Sequence, residues 1–285
     1  MHTISPAGMG PDTLRLVTVN CNGLRRRKRR LALGHLLTVL KVDICVVTES
    51  HLRKGDLGWL KGNDFPEHAV IASFCRRAKN RKIGGGVVIM AHKGLTVVKR
   101  KDGEGDGEAA EVCSVHLHPE RNESLRIRIS GVYMPPSRTG QITEEHLREI
   151  GGDCSGAVDT SEEPHLILGD FNPTTWMEMY EEWRCDRLIW QLTDPLIPTH
   201  TGGGALDRVL LRPGLYTPED WLPTQEVSLE EERYDRQEDT LYPAEAQPSM
   251  AFSDHYPVFL AMPWGRGKEA KVGKRLALDG LEPEV

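Results

Sequence analysis

The chain has 285 residues, of which 39% are hydrophobic and 27% are charged, and these values favour one large α/β or sandwich domain, or two small ones, over a repeat array. The formal net charge of −6 excludes a uniformly basic surface, so any contact with a polyanion must be local. No stretch approaches the roughly 18 apolar residues of a membrane span, and the N-terminus lacks the apolar run of a secretory signal, so we expect no membrane partner.

The cysteines indicate a reducing environment. Six are scattered along the chain without a CxxC pair or a regular spacing. Several lie within apolar, strand-like runs, where a free cysteine packs as a small hydrophobe. The sequence therefore predicts an intracellular protein and argues against a zinc site built from these residues.

The first half of the chain consists mainly of short apolar runs rich in Val and Ile, separated by Gly, Pro and charged turns. Such runs predict strands. An amphipathic helix is predicted over 30–42. The predicted strands are 14–20, 43–50, 84–91, 95–100, 110–117 and 125–134.

The second half continues the pattern with helices between strands. Strands are predicted over 165–172, 205–211 and 253–262, and a surface helix over 143–152. Trp176, Trp183 and Trp190 recur at a heptad-like interval and predict one helix with an aromatic inner face. Strands that arrive singly and in hairpins, with helices between some of them, predict a layered α/β sandwich.

We expect one main domain over 14–263. Residues 1–13 are predicted to be a flexible N-terminus and 264–285 a loose basic tail. Residues 217–247 are rich in Glu and Asp and poor in aliphatic residues, which predicts an acidic surface insertion.

Polar side chains lie at or just beyond one end of several predicted strands. Residues at such positions can reach a common pocket, although a single acidic residue there is more commonly a turn former or a helix cap. Together they supply what phosphodiester hydrolysis needs: a carboxylate for a hard cation, a group that deprotonates water, and donors to the developing charge. The residues are Asn20, Glu49, Tyr133, Asp170, Asn172, Asp207, Asp254 and His255.

Six segments carry a resemblance to a known family: TVNCNGL (18–24), VVTESHL (46–52), GVYMPP (131–136), LGDFN (168–172), ALDRVLL (205–211) and FSDHYPV (252–258). In content and order they resemble the endonuclease/exonuclease/phosphatase superfamily, which includes apurinic/apyrimidinic endonucleases. Within it, they most resemble the endonuclease domains of non-LTR (LINE-type) retrotransposons, trypanosomatid elements among them. The resemblance implies a DNase I-like, four-layered α/β sandwich of two packed β-sheets flanked by helices.

The resemblance also implies a metal site. Glu49 looks like the principal metal ligand, with Asn20 beside it. Asp254 would serve the metal or a second metal position. The implied cofactor is Mg²⁺, with Mn²⁺ as the alternative.

The same resemblance implies catalytic roles. Asp170 resembles the residue that orients or deprotonates the attacking water, and Asn172 would donate to the transition-state oxygens. His255 resembles the histidine that contacts the scissile phosphate, with Asp207 as its carboxylate partner. Such a partner fixes the imidazole tautomer and favours its charged form. Tyr133 resembles the tyrosine whose hydroxyl reaches the phosphate.

Further residues are candidates for binding phosphate or DNA. Asn22 stands where apurinic endonucleases more often carry an aspartate, and this difference favours the retrotransposon branch. Thr199 and Thr201 both match a phosphate-contacting threonine, and Thr199 fits better. His51 is expected on the face opposite Glu49, and His200 is a rival for substrate contact.

The basic run that follows the first motif has two readings. Arg25, Arg26 and Arg27 begin this run, which extends to Arg30. They either form a solvated helix start or nuclear import signal, or grip DNA phosphates beside the site. The sequence leaves both open.

The leading hypothesis is a Mg²⁺-dependent endonuclease that nicks target DNA for retrotransposition in the nucleus. It would leave a 3′-hydroxyl for a reverse transcriptase of the same element. The alternatives are an apurinic/apyrimidinic repair endonuclease, a phosphatase of the same fold acting on inositol phosphates, and a decayed domain that only binds DNA.

Overall fold

Two β-sheets packed face to face form the body of the protein. The computed structural model describes residues 13–60, 64–75, 85–99, 111–118, 127–136, 164–172, 190–191, 200, 206–212, 255 and 257–263. Within these residues the helical elements are α1 (Arg27–Val39) and a 3₁₀ segment (Lys54–Leu60). The strands are β1 (Thr13–Asn20), β2 (Ile44–Thr48), β3 (His68–Phe74), β4 (Val87–His92), β5 (Thr96–Lys99), β6 (Glu111–His118), β7 (Ile127–Tyr133), β8 (His165–Asp170), β9 (Trp190–Gln191), β10 (Asp207–Arg212) and β11 (Val258–Pro263).

The first sheet has the strand order β11-β1-β2-β4-β3, and the second has the order β5-β6-β7-β8-β10-β9. Each sheet contains a parallel pair, β1 with β2 and β7 with β8. The other neighbours described are antiparallel. This arrangement confirms the predicted α/β sandwich.

The apolar residues form two cores because side chains alternate across each strand. On β1, Leu14 and Leu16 face the second sheet, whereas Val17 and Val19 face α1. The helix contributes its buried leucines to this outer core, and each buried leucine stabilises the fold by roughly 1.5–3 kcal/mol. These leucines are Leu33, Leu36 and Leu37.

Gly131 sets the distance between the sheets beside the polar strand ends. A Cβ at this position would lie 2.8 Å from side-chain carbons of both Val46 and Val87. Only glycine therefore lets β7 approach the first sheet this closely. The approach brings Tyr133, two residues further along β7, within reach of the end of β2.

The outer face of the second sheet is polar and yet buried. Ser114, Ser130 and His165 lie side by side on β6, β7 and β8, and all three are buried. The two serine hydroxyls are 2.7 Å apart, and Ser130 Oγ is 2.7 Å from His165 Nε2. These contacts satisfy polar groups whose burial would otherwise be costly.

The first predicted helix is present with different bounds, and the helix predicted to include Trp190 is wrong there. Helix α1 spans Arg27–Val39 and not 30–42. The apolar periodicity continues past its end, but Lys41 takes a φ of 50° and Val42 N–H bonds back to Leu37 O, which ends the helix. Trp190 lies on β9, paired with Leu211, so a helix does not extend to it.

Strand β3 was not predicted. Buried and partly buried side chains do not alternate regularly along β3, and its pairing with β4 shifts register between Val70 and Ala72. The segment therefore lacks the period-two pattern that predicts a strand. Strand β1 begins at Thr13, and β11 ends at Pro263, close to the predicted limits of the domain. The predictions for 1–12, 143–152, 217–247 and 264–285, and for Trp176 and Trp183, lie outside the described residues. In the described part of the chain, no helix is long and apolar enough to cross a membrane.

Candidate active site

The polar residues meet where the two parallel strand pairs end. Asn20 ends β1 and is the register partner of Thr48, which ends β2 just before Glu49. In the second sheet, Tyr133 ends β7 opposite Asp170, which ends β8. Asp207 begins β10 and is also paired with Asp170. Because the two sheets face each other, these strand ends share one edge of the sandwich.

Glu49 is a partly exposed carboxylate held by two neighbours. The Tyr133 hydroxyl donates to Glu49 Oε1 at 2.7 Å, and His51 Nε2 lies 3.5 Å from Oε2. Burial acts to raise the pKa of Glu49, but the hydrogen bonds from His51 and Tyr133 outweigh it and lower this pKa. Burial, followed by the charge of Glu49, raises the pKa of Tyr133. Glu49 is therefore held anionic, and Tyr133 stays protonated as a donor.

Asp170 is a fully buried carboxyl group at the centre of the site. Its Oδ2 accepts a 2.9 Å hydrogen bond from Asn20 Nδ2, and its Oδ1 accepts a 3.1 Å bond from the backbone N–H of Asn172. Burial and the adjacent Asp207 carboxylate raise the pKa of Asp170 to about 8, against the opposing effects of His255 and these donors. The group can therefore exchange a proton near neutral pH.

His255 connects two buried carboxyl groups. Its Nδ1 lies 2.7 Å from Asp207 Oδ2, and its Nε2 lies 3.8 Å from Asp170 Oδ2. The short contact to a carboxylate places a proton on Nδ1. Asp207 thus fixes the ring so that Nε2 faces the same space as Asp170.

Three asparagines fix the loops around these groups. Asn172 Nδ2 donates to Met134 O at 3.0 Å, which leaves its second N–H for another acceptor. Asn22 is exposed, and its backbone N–H donates to Asn20 Oδ1 at 3.0 Å. The Asn20 amide is thus bonded at both ends.

The donors fit a hard divalent cation. Glu49 offers an anionic carboxylate that is 21% exposed, next to the strand that ends in Asn20. Mg²⁺ prefers such oxygen ligands together with open positions for water and phosphate. Asp170, Asp207 and His255 also place ligand atoms within 4.8 Å of one another. His255 and Asp207 already bond to each other, however, so this trio is better suited to acid–base chemistry.

The basic run divides into two parts. Residues 25–28 are exposed, with Arg25 paired to Asp56 at 3.3 Å. Arg29 and Arg30 instead point into the protein: Arg29 donates to two backbone carbonyls of the 21–23 turn, and Arg30 bonds Asp64 at 2.7 Å and two further carbonyls. Arg25, Arg26 and Arg27 are therefore exposed at the surface, where Arg25 contacts Asp56, while Arg29 and Arg30 hold the loop.

The prediction for His51 is wrong, whereas His200 lies beside His255. His51 was expected opposite Glu49, but it lies on the same side. Strand alternation would itself place residues 49 and 51 on the same side, and they share it although the strand ends at Thr48 and both have positive φ values, 46° and 52°. His200 forms a β-bridge with His255, and the two ring centroids are 4.8 Å apart. It therefore lies at the site, where the sequence had made it a candidate for substrate contact. Asp254, Thr199 and Thr201 lie outside the described residues.

Comparison with known structures agrees with this architecture. The endonuclease domain of TRAS1, a telomere-specific non-LTR retrotransposon, shares 13% identity at a TM-score of 0.58, over 88% of this chain and 98% of that one. The human Nocturnin catalytic domain shares 12% identity at a TM-score of 0.55, over 89% and 94%. The AP endonuclease LMAP from Leishmania major shares 14% at 0.54, over 93% and 92%. At these identities the similarity shows the fold.

The sequence itself matches a family. No curated protein shows significant similarity to the chain. Residues 17–255, which contain all the polar strand ends described above, match the endonuclease/exonuclease/phosphatase family. This match covers most of the chain, and the two-sheet fold agrees with it. The protein belongs to the endonuclease/exonuclease/phosphatase family.

Proposed function

We propose that the protein is a divalent-metal-dependent endonuclease that hydrolyses DNA phosphodiester bonds. The observation that carries this proposal is the hydrogen bond from Asn20 to Asp170, which joins two chemically different halves of the site. One half is the partly exposed, anionic Glu49 with its donor Tyr133. The other is the buried Asp170 next to His255. Hydrolysis of a phosphodiester needs both a cation site and a proton acceptor.

The cation would be held by Glu49, with Asn20 beside it. Asp254 is a further proposed ligand. When bound, Mg²⁺ or Mn²⁺ would supply positive charge to the oxygens of the scissile phosphate. The oxygen donors of this chain suit either ion, and metal titration distinguishes them.

Asp170 is the proposed base. It accepts a proton from water as the water oxygen bonds to phosphorus, and a pKa of about 8 suits a base that works near neutral pH. The phosphorus–O3′ bond breaks, the leaving oxygen takes up a proton from solvent water to give a 3′-hydroxyl and a 5′-phosphate, and Asp170 returns its proton to solvent. His255, oriented by Asp207, donates to the phosphate through Nε2. The spare N–H of Asn172 is a further donor to the transition state, and the hydroxyl of Tyr133 would become one by turning from Glu49 to the phosphate.

The exposed basic residues support a nucleic acid substrate. Arg25, Arg26 and Arg27 are exposed and follow the first motif, three to five residues after Asn22, where the chain enters α1. On a chain of net charge −6, such a cluster is a local feature. Rows of phosphates bind Lys and Arg side chains in this way, and these contacts position DNA without reading its sequence.

A role in retrotransposition is the most specific form of the proposal. It is supported by the motifs around Asn20, Asp170 and His255 and by the similarity to the TRAS1 domain, which comes from a retrotransposon. The 3′-hydroxyl would then be extended by a reverse transcriptase of the same element. Such a role requires the protein in the nucleus, and imaging of a tagged protein with and without the 25–30 basic run tests this.

Nicking of supercoiled plasmid tests the function. We expect relaxed circles with Mg²⁺ or Mn²⁺ and none with EDTA. Asp170→Ala and His255→Ala should each lower the rate by at least about 10²-fold. Lys41→Asn is the matched control, because Lys41 is exposed at the far end of α1 and asparagine tolerates its φ of 50°.

Other substrates decide between members of the family. Faster cleavage of an oligonucleotide with one abasic site than of intact DNA would favour a repair endonuclease. Release of phosphate from inositol phosphates without nicking would favour a phosphatase. Metal-independent DNA binding without any hydrolysis would overturn the enzymatic proposal.

A further inference from the structure

Glu111 is a buried carboxylate close to the site, and it was not among the residues singled out from the sequence. It begins β6, is 1% exposed, and is the register partner of Tyr133 on β7. A carboxylate is costly to bury unless hydrogen bonds compensate for the lost water. The contacts of the Glu111 carboxylate therefore show what its burial stabilises.

The carboxylate lies inside a turn made by two glycines. Glu111 Oε2 accepts a short hydrogen bond from the backbone N–H of Gly86. A Cβ on Gly85, whose φ is 68°, would lie 2.4 Å from Glu111 Oε1. The backbone thus wraps the carboxylate so closely that a larger residue at Gly85 would displace it.

The same glycine turn holds the segment that follows Glu49. Ser50 N–H donates to Gly86 O at 3.0 Å, and His51 N–H donates to Gly85 O at 2.9 Å. Glu49 itself has a φ of 46°, which is uncommon for a residue other than glycine and needs support from its surroundings. The two bonds supply that support immediately after Glu49.

We propose that Glu111 is a positioning residue that fixes the Glu49 carboxylate for cation binding, acting through the Gly85–Gly86 turn and the backbone of Ser50 and His51. The proposal rests on Glu49 being the cation ligand of the proposed function. Glu111 touches neither the cation nor DNA. It acts on the metal side of the site, and Asp170 and His255 stay as they are.

Direct metal binding tests this inference without DNA. Free Mn²⁺ is measured by electron paramagnetic resonance for the native protein, Glu111→Gln and Glu111→Ala. Glutamine keeps an oxygen acceptor for Gly86 N–H, so its affinity should stay near the native value. Alanine removes the acceptor, and we expect affinity to fall about 10- to 100-fold, the usual effect of losing a group that supports a metal ligand.

Nicking kinetics separate positioning from a general loss of structure. Glu111→Ala should need more metal for half-maximal rate and should recover toward the native rate at saturating metal. Ser114→Ala is the matched control on the same strand, because its hydroxyl bonds Ser130 on the far face of the sheet. If Glu111→Ala does not fold, Gly85→Ala is the second variant. It keeps the Glu111 carboxylate, but the new methyl group displaces that carboxylate from the glycine turn, so it should weaken Mn²⁺ binding in the same way.

The outcomes distinguish this inference from the proposed function. Native Mn²⁺ affinity in Glu111→Ala, or the same loss of affinity in Glu111→Gln and Ser114→Ala, would overturn the inference while leaving nicking intact. If the native protein binds Mn²⁺ but does not nick DNA, and Glu111→Ala binds Mn²⁺ weakly, the inference is supported and the proposal of a DNA substrate is contradicted. A native protein that binds no Mn²⁺ would overturn both.

Discussion

The side-chain amide of Asn20 donates a 2.9 Å hydrogen bond to Asp170 and so joins the first sheet to the second at the site. Its carbonyl oxygen accepts the backbone N–H of Asn22, which fixes the direction in which the amide points. The donor end must therefore face Asp170. This bond partly offsets the burial that raises the pKa of Asp170.

Asn20→Ala should raise the pKa of Asp170 further. The variant removes a donor that favours the carboxylate, so the pH at which nicking reaches half its maximum should move upward. Loss of a hydrogen bond to a buried charged group should also cost about 1–3 kcal/mol of unfolding free energy. Lys41→Asn is the control, because Lys41 is exposed and lies outside the site. An unchanged pH profile would contradict the prediction.

Asp207→Asn should slow nicking and move the pH profile in the opposite direction. Asparagine cannot favour the charged imidazole of His255 as a carboxylate does, so the maximal rate should fall by about 10²-fold or more. The variant also removes a negative charge next to Asp170, which lowers the pKa of that base. Kinetics across the pH range measure both effects. A slower rate together with a shift of the pH profile to higher pH would show that Asp207 does not raise the pKa of Asp170.

The strand ends were predictable from the sequence, but their contacts were not. The apolar runs before Asn20 and Asp170 are buried on both faces, so they gave a clear strand signal and placed the polar residues at their ends. The pairing of Asp207 with Asp170 depends on the register of β10 against β8, which joins residues far apart in the chain. Such long-range register leaves no local pattern.

Glu111 and His51 show where local reasoning fails. An acidic residue at the start of a predicted strand is common. Only the pairing of Glu111 with Tyr133, which the sequence does not reveal, places its carboxylate close to the site. His51 was expected opposite Glu49, although residues two apart in a strand share a face, and the backbone after Thr48, with its positive φ values, brings it to Glu49 Oε2. In both cases the contacts between strands and loops decide the position, and the residue type alone does not.

Replacing the exposed arginines should reduce the salt dependence of DNA binding. If Arg26 and Arg27 each contact a phosphate, the double alanine variant should lower the slope of log K against log salt by roughly 0.9 per lost contact. Binding should weaken on all sequences alike. Fluorescence anisotropy at several salt concentrations measures this, with Lys41→Asn as the control that removes one positive charge beyond the other end of α1. A slope equal to that of the native protein would mean that these arginines are only solvated.

Arg30 and Arg27 should differ in their effects on stability. Arg30 is 9% exposed and bonds Asp64 and two backbone carbonyls, so Arg30→Ala leaves a carboxylate and two oxygens without their donor. We expect a loss of about 3 kcal/mol in unfolding free energy. Arg27→Ala, at an exposed position in the first turn of α1, should change it by less than about 0.5 kcal/mol. Urea denaturation of both variants measures the difference, and equal losses would contradict the division of the basic run.

His68 should make the fold less stable in mild acid. Burial lowers its pKa; His92 acts in the same direction, and the carbonyl of Val42 and the carboxylates of Asp43 and Glu67 oppose it. Between this lowered value and about 6.5 in the unfolded chain, the unfolded state binds more protons, so unfolding free energy rises with pH. The stabilisation is therefore complete above the unfolded pKa and is lost as pH falls through the folded pKa.

His68→Gln should remove this part of the pH dependence. Glutamine does not titrate, and its amide N–H replaces the imidazole that lies 2.7 Å from Val42 O. Thermal unfolding of the native protein and the variant is compared at about pH 7.5 and about pH 5. The native melting temperature should fall more between these conditions than that of the variant, because only the native protein gains a buried charge. Equal falls would show that His68 stays neutral or finds a new partner when protonated.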